Sequence, residues 1–222
     1  MAKQDTAEQN RRKSYDDPDK EKYYDQWAQT YDIDLQSEGY CGPDQAADMF
    51  SSLVPTDHRV MDFGCGTGLV GELLHGRGYR QLYGVDVSRG MLQQAERRAC
   101  YVSVRRHDLT SAMHDDVRYQ AGICVGVCGF GPVLAEHIAL MIAVLVPAAP
   151  LIITINDVAW EEKDWSQQLE DAQAEFDFSI DYVKSIPYLV DKDIGAKLLI
   201  IKNSKLESIE TCQPEHVDEP LT

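Results

Sequence analysis

Val60-Met61-Asp62-Phe63-Gly64-Cys65-Gly66-Thr67-Gly68-Leu69-Val70-Gly71 is the stretch on which the fold turns. Residues 60–63 read as a short buried strand, and the glycines at every second position after them read as a tight turn. The apolar pattern resuming at Leu69 reads as a helix that ends near Gly76 and Gly78. Working outward, the same alternation repeats. A strand over 81–85 runs into Asp86, and Ser88 is placed to cap a helix reaching 99. A strand over 101–106 runs into His107-Asp108. Strands follow at 121–128 and 151–155, with helices at 135–146 and 165–176. Two last strands, 178–183 and 196–202, have no long helix between them and are expected to pair as a hairpin around 191–195.

This order predicts an α/β fold. It is a doubly wound, Rossmann-like sheet of seven strands, mostly parallel, with a C-terminal antiparallel hairpin and helices on both faces. Residues 1–19 are polar and charged, and are expected to form a flexible N-terminal arm. The main domain is expected over 20–206. Within it, 20–55 forms a helical segment in which Tyr23, Trp27 and Tyr31, spaced by four, share one helix face. A second helix is expected from Pro43, and 207–222 is read as an acidic flexible tail.

Composition narrows the function. Among 222 residues, 21 are Lys or Arg and 37 are Asp or Glu, a net charge of -16. Such a chain repels phosphate backbones and anionic lipid surfaces, so neither nucleic acid nor membrane is an expected partner. The apolar run from 138 to 155 is interrupted by Pro147 and Pro150, and is expected to divide into helix, turn and strand. The six cysteines form no Cys-x-x-Cys pair, and the polar opening residues resemble no secretory signal. Free thiols, a reducing cytoplasmic location and no bound metal are the expectation.

In open α/β sheets, ligands bind at the carboxyl ends of the strands. Two cofactors compete for the glycine loop. Gly66-x-Gly68-x-x-Gly71, with Asp86 20 residues past Gly66, matches the fingerprint of a dinucleotide such as NAD. Gly64-x-Gly66-x-Gly68, with Asp62 two residues ahead, suits S-adenosylmethionine. Charge separates the two. A carboxylate beside the loop repels a pyrophosphate, which a glycine loop otherwise welcomes. It favours an ammonium or sulfonium by roughly 4 kcal/mol at ~4 Å and an effective dielectric of ~20, before desolvation. Asp86 is then placed to accept from both ribose hydroxyls, and Asp108 from the adenine amine, because an ionised carboxylate only accepts.

These residues resemble the class I S-adenosylmethionine-dependent methyltransferase superfamily. Residues 60–68 look like its first motif, and Gly84-Val85-Asp86-Val87-Ser88-x-x-Met91-Leu92 looks like its second-strand motif. Tyr24-Asp25-x-Trp27-Ala28-x-x-Tyr31-Asp32 is similar to the methyltransferase-like proteins of the Williams–Beuren syndrome region, and the resemblance extends over about 20–203. It implies that Asp62 and the backbone of Gly64, Cys65, Gly66 and Gly68 meet the methionine portion. It also implies that Asp86 holds the ribose, that Met91 and Leu109 flank the adenine, that Asp108 binds its amine, and that Val127 lies under the sulfonium, with Val87 a further cofactor contact. Two departures stand out. Pro147-Ala148-Ala149-Pro150 replaces a Pro-Gly-Gly turn, and Tyr119-Gln120 replaces an aromatic-Asp pair.

The resemblance implies methyl transfer to a small-molecule nitrogen, oxygen or sulfur by in-line displacement, which needs alignment more than a base. Tyr24, Trp27, Tyr31 and Asn156 are the candidate acceptor contacts, with Asp157 and Tyr24 the candidate catalytic groups. His107 is read as structural, and Cys124 and Cys128 as small buried residues on one face of a strand. The competing expectations are an NAD-dependent oxidoreductase and a non-catalytic S-adenosylmethionine-binding module. Oligomeric state is not legible.

Overall fold

A computed structural model of the chain describes residues 19–204. The tail expected over 207–222, and all of the expected arm but Asp19, lie outside the described residues. Seven strands form one sheet: β1 (Val60–Phe63), β2 (Leu82–Asp86), β3 (Ser103–Arg106), β4 (Ala121–Cys124), β5 (Pro150–Asn156), β6 (Phe178–Leu189) and β7 (Ile194–Asn203). Their order is β3-β2-β1-β4-β5-β7-β6. Strands β1 to β5 are parallel, while β7 runs antiparallel to both β5 and β6. The doubly wound sheet with its terminal hairpin is therefore present. The strand order reverses between β1 and β4, which places the ligand crevice beyond the carboxyl ends of those two strands.

The helices are α1 (Lys20–Trp27), α2 (Tyr31–Gln36), α3 (Gly42–Leu53), α4 (Leu69–Gly76), α5 (Arg89–Arg97), α6 (Ile138–Ile142), α7 (Asp157–Glu162) and α8 (Trp165–Glu175). Strand periodicity sorts them to the two faces. Met61, Phe63, Leu151, Ile153 and Ile155 bury one face against Ile138 and Met141 of the α6 region and Trp165 and Leu169 of α8. Val60, Ile123 and Ile152 bury the other against Ala47 and Phe50 of α3 and Val70 and Leu74 of α4. Among the described residues no helix is long and apolar enough to cross a membrane, and the apolar run at 138–155 becomes α6, a turn and β5.

Several expected elements have different bounds. Tyr23, Trp27 and Tyr31 do not share one helix, because α1 stops at Trp27 and a turn at 28–30 restarts the chain as α2 at Tyr31. The expected strand at 121–128 ends at Cys124. Beyond it Gly126 adopts a φ of 75° and its N–H donates to buried Thr154 Oγ1 at 3.1 Å, so the chain turns away. The helix expected over 135–146 shrinks to a 3-10 turn (Ala135–His137) followed by α6. The hairpin strands are longer than expected and reach 189 and 194.

The Pro147–Pro150 turn explains one departure. Ala148 has a φ of 58°, the left-handed region where a glycine would be at ease. Its N–H still donates to the carbonyl of Asn203 at 3.0 Å, so the turn closes on β7 despite the strain. At Tyr119-Gln120, the Gln120 Oε1 accepts from the Arg59 N–H at 3.0 Å and steadies the start of β1. Replacing Ala148 with Gly should raise unfolding stability by about 1 kcal/mol, since relief of left-handed strain exceeds the extra chain entropy. Urea denaturation of the two proteins checks this, and a loss of stability would contradict it.

Candidate active site

A cavity of about 770 Å³ opens at the carboxyl ends of β1, β2 and β4. Of the residues expected at a cofactor, Gly64, Gly66, Asp86, Val87, Met91, Asp108, Leu109 and Val127 line it. All four expected acceptor contacts, Tyr24, Trp27, Tyr31 and Asn156, line it too. His107, read as structural, also reaches the wall, where its Nε2 lies 3.2 Å from the Ser111 carbonyl. Burial pushes the His107 imidazole below its ordinary range.

Three residues of the first motif stand behind the wall instead. Asp62 shares the β1 face of Val60, and α4 and the segment after α5 cover that face. It is 1% exposed, and its Oδ2 accepts from the Tyr101 hydroxyl at 2.6 Å. Asp62 is therefore not among the residues that line the cavity. Burial pushes the Asp62 carboxyl up to about 7, against the opposing pull of the Tyr101 hydrogen bond, and nearby Asp86 adds to the rise. Cys65 packs with Leu92 and Ala95, and Gly68 starts α4 beneath Ala95 and Arg98. Neither lines the cavity.

The loop amides are almost all engaged within the protein. The N–H groups of Gly64 and Cys65 donate to the Val85 carbonyl at 2.8 and 2.9 Å. The Gly66 N–H donates to Asp86 Oδ2 at 2.9 Å, and the Gly68 N–H donates to the Cys65 carbonyl at 2.8 Å. A Cβ on Gly64 would meet Val127 Cγ2 at 2.2 Å, so the turn from β1 passes under the β4 loop with no room for a side chain. Gly71, the last glycine of the dinucleotide fingerprint, packs against the Tyr101 ring and does not line the cavity.

Asp86 also accepts from the Ser88 N–H through Oδ1 at 2.9 Å. Each carboxylate oxygen accepts more than one bond, so Asp86 retains acceptor capacity toward the cavity. Burial raises its carboxyl above the ordinary range, and the Ser88 and Gly66 amides oppose that rise. Asp108 is the contrasting case. The Thr110 N–H and hydroxyl both donate to its Oδ1, at 2.9 and 2.8 Å, and the Thr110 amide holds it below the ordinary carboxylate range.

The N-terminal helices form the roof. Trp27 and Tyr31 meet edge to face with ring centroids 4.7 Å apart, and Tyr24 stacks on Trp27 at 6.0 Å. Tyr23 touches these rings but does not line the cavity. Carboxylates that the sequence reading passed over hold this roof down. Asp25 Oδ1 accepts from Ser88 Oγ at 2.6 Å and the Gly90 N–H at 2.7 Å. Asp32 accepts from Thr67 Oγ1 at 2.6 Å and pairs with Arg98 at 2.5 Å. Glu21 pairs with Arg106 at 2.5 Å. A Cβ on Gly90 would meet the Asp25 carbonyl at 2.8 Å, so α1 and α5 approach backbone to backbone. The repeat of Tyr-Asp seven residues apart was the available signal: each tyrosine lines the cavity and each aspartate anchors its helix.

Asp157, a candidate base, points elsewhere. It pairs with Lys197 Nζ at 3.2 Å across β7 and does not line the cavity. Asn156 caps α7, its Oδ1 accepting from the Ala159 N–H at 2.9 Å, so the first turn of that helix swings the next side chain away. Cys124 and Cys128 are both buried, but Cys128 belongs to the loop after β4 and lines the cavity. Among the described residues, no group of three His, Cys, Asp or Glu side chains is arranged to hold a metal.

The sequence over 60–148 matches the methyltransferase domain family. That match takes in β1 to the turn before β5, the part of the sheet that carries the glycine loop. Human methyltransferase-like protein 27 is 40% identical to it over 82 residues, which is 36% of this chain and 34% of that protein. The chain thus aligns with about a third of the length of this curated relative. Magnesium protoporphyrin IX methyltransferase from Synechocystis PCC 6803, in a structure with bound S-adenosylmethionine, superposes on this chain with a TM-score of 0.55. It shares 22% identity, over 77% of this chain and 84% of that one. The [4+2]-cyclase SpnF superposes with a TM-score of 0.58 at 16% identity, over 72% and 81% of the two chains. At these identities the domain shares a fold with both.

Two outcomes follow from the site. In the unfolded chain Asp62 ionises near its ordinary value of 3.8, whereas the folded protein holds the proton to about 7. The native state therefore binds more protons between those values, and this group costs stability as pH rises through the window. Asp62→Asn should melt higher than the parent by a margin that widens from about pH 5 to about pH 8 and then levels off. Calorimetric melting at several pH values checks this, and a constant margin would contradict it. Asp25→Ala should leave the sheet intact but speed amide exchange in α1 by about 10- to 100-fold, because it removes two bonds to a charged acceptor. Hydrogen-exchange mass spectrometry reads that directly.

Proposed function

We propose that this protein transfers the methyl group of S-adenosylmethionine to a small-molecule nitrogen, oxygen or sulfur. The observation that carries this reading is the state of the glycine loop. Four of its amides already donate within the protein, one of them to a carboxylate on the cavity wall. A pyrophosphate needs free amides at such a loop and no adjacent negative charge. A phosphate-free nucleoside with a cationic amino-acid end needs acceptors instead. The fold match and the methyltransferase-domain match support the same choice.

The residues present fit this cofactor. Asp86 would accept from the ribose hydroxyls, and Asp108, whose bonds to Thr110 fall on one oxygen, would accept from the adenine amine. Val87, Met91 and Leu109 would flank the base, and the backbone at Gly64 and Gly66 would meet the methionine end. Asp62 would act from behind the loop with Cys65 and Gly68, as charge and support and not as a contact. Bound there, S-adenosylmethionine would supply a methyl on a sulfonium with a neutral thioether as leaving group. Tyr24, Trp27 and Tyr31 would cover the cofactor, exclude water and align the acceptor, which is where such a reaction gains most. The segment 20–55 would then serve as a lid, and the Tyr-Asp pattern within it carries the likeness to the Williams–Beuren syndrome region proteins.

Titration calorimetry with S-adenosylhomocysteine and with NAD tests the reading. S-adenosylhomocysteine should bind, and Asp86→Ala should weaken it about 10- to 100-fold by removing a charged acceptor. Binding of NAD with none of S-adenosylhomocysteine would overturn it. Formation of S-adenosylhomocysteine from donor and a metabolite extract separates an enzyme from a binding module.

A further inference from the structure

The cavity is electrically divided. Its charged wall residues among those described are Asp19, Glu21, Asp86 and Asp108, and all belong to the β2–β3 side. Glu21 is held there by Arg106 at the end of β3, and Asp19 caps the same helix by accepting from the Lys22 N–H at 3.1 Å. No Lys or Arg among the described residues lines any part of the cavity. The opposite half lies beyond β4, β5 and β6. Val125, Phe130, Leu189 and Asn156 face it, together with Tyr40 and Tyr188.

Tyr40 and Tyr188 are 148 residues apart, yet their hydroxyls lie 3.3 Å from each other and their rings cross at 79° with centroids 5.0 Å apart. The Cys41 N–H donates to the Tyr188 carbonyl at 2.9 Å, which fixes one backbone to the other. A Cβ on Gly126 would stand 2.9 Å from the Tyr40 hydroxyl and 3.2 Å from that of Tyr188. The phenols therefore reach the turn after β4, at Gly126 and beside Val127 of the cavity wall. Burial, reinforced by the neighbouring phenol, raises Tyr40 well above its ordinary range, so it stays neutral at physiological pH.

We infer that the acceptor is an uncharged, flat, largely apolar molecule whose one polar group, a hydroxyl or a neutral amine, hydrogen-bonds to the Tyr40–Tyr188 hydroxyl pair. This rests on the methyltransferase reading above and narrows it. Among the described residues lining this half, a carboxylate or phosphate would find no cation to replace its hydration, and an ammonium would meet no carboxylate. Aromatic walls and a neutral hydroxyl pair recover most for a ring with a single polar substituent. Tyr40 and Tyr188 are thereby specificity-determining residues.

Three ring compounds that differ in charge provide the test: 4-ethylphenol, 4-hydroxybenzoate and tyramine. Each is titrated calorimetrically into the full chain saturated with S-adenosylhomocysteine. The neutral compound should bind about tenfold more tightly than either charged one. Tyr40→Phe and, separately, Tyr188→Phe should weaken it about fivefold while S-adenosylhomocysteine affinity stays within about twofold. Absence of S-adenosylhomocysteine binding overturns the methyltransferase reading itself. With that ligand bound, a carboxylate or amine compound binding as well as the neutral one overturns the inference. So does failure of the neutral one to bind, or indifference to both substitutions.

Discussion

The Asp86 carboxylate is the tie on which the site depends. One oxygen takes the Gly66 amide at 2.9 Å and the other takes the Ser88 amide at the same distance. The first bond fixes the loop after β1 to the end of β2, and the second fixes the turn that starts α5. Bonds to an ionised acceptor in a buried setting are stronger than neutral ones, and each lost bond would leave a buried amide unsatisfied. With the loop held this way, Gly64 passes beneath Val127 and the cavity acquires its floor. The same bonds engage the loop amides within the protein, so one arrangement both shapes the site and fixes which groups its loop presents.

The roof obeys a related rule. A net charge of -16 would push an acidic segment away from an acidic core, and the protein answers with local partners. Arg98 bridges the Thr67 carbonyl, Asp32 and Glu72, and Arg106 takes Glu21, while Asp25 finds a hydroxyl and a helix-start amide. Trp27 and Leu35 are buried in these helices, but neither belongs to the apolar clusters that flank the sheet. Such a roof stays assembled by directed polar bonds at its edges, leaving the aromatic residues between them to face the cavity.

Much of this was legible in the chain itself. The strand-to-glycine junction at 60–68, the aspartates ending β2 and following β3, and the Ser88 cap are local patterns, and each appears where the pattern put it. Tyr24, Trp27, Tyr31 and Asn156 also line the cavity, although a turn at 28–30 separates the helices that carry Trp27 and Tyr31. Asp62 and Asp157 were harder. Each follows the pattern in sequence, but a side chain at a strand end or helix start points to one of two sides, and the neighbours that settle the side come from elsewhere. Tyr101 claims Asp62, and Lys197 claims Asp157. The shortened strand at 121–124 escaped notice because Gly126 bends a run that remains apolar on either side.

The sequence by itself determined the order of strands and helices, the glycine turn and the acids beside it, because hydrophobic period, backbone dihedrals and capping act over a few residues. Only the tertiary structure decided which carboxylate faces the cavity and which stands behind it. Only it brought Tyr40 to Tyr188 and divided the pocket into charged and neutral halves. The first outcome depends on Tyr101 and Lys197, and the second on how β6 packs at the far side of the sheet, contacts between parts of the chain whose separation leaves no local trace.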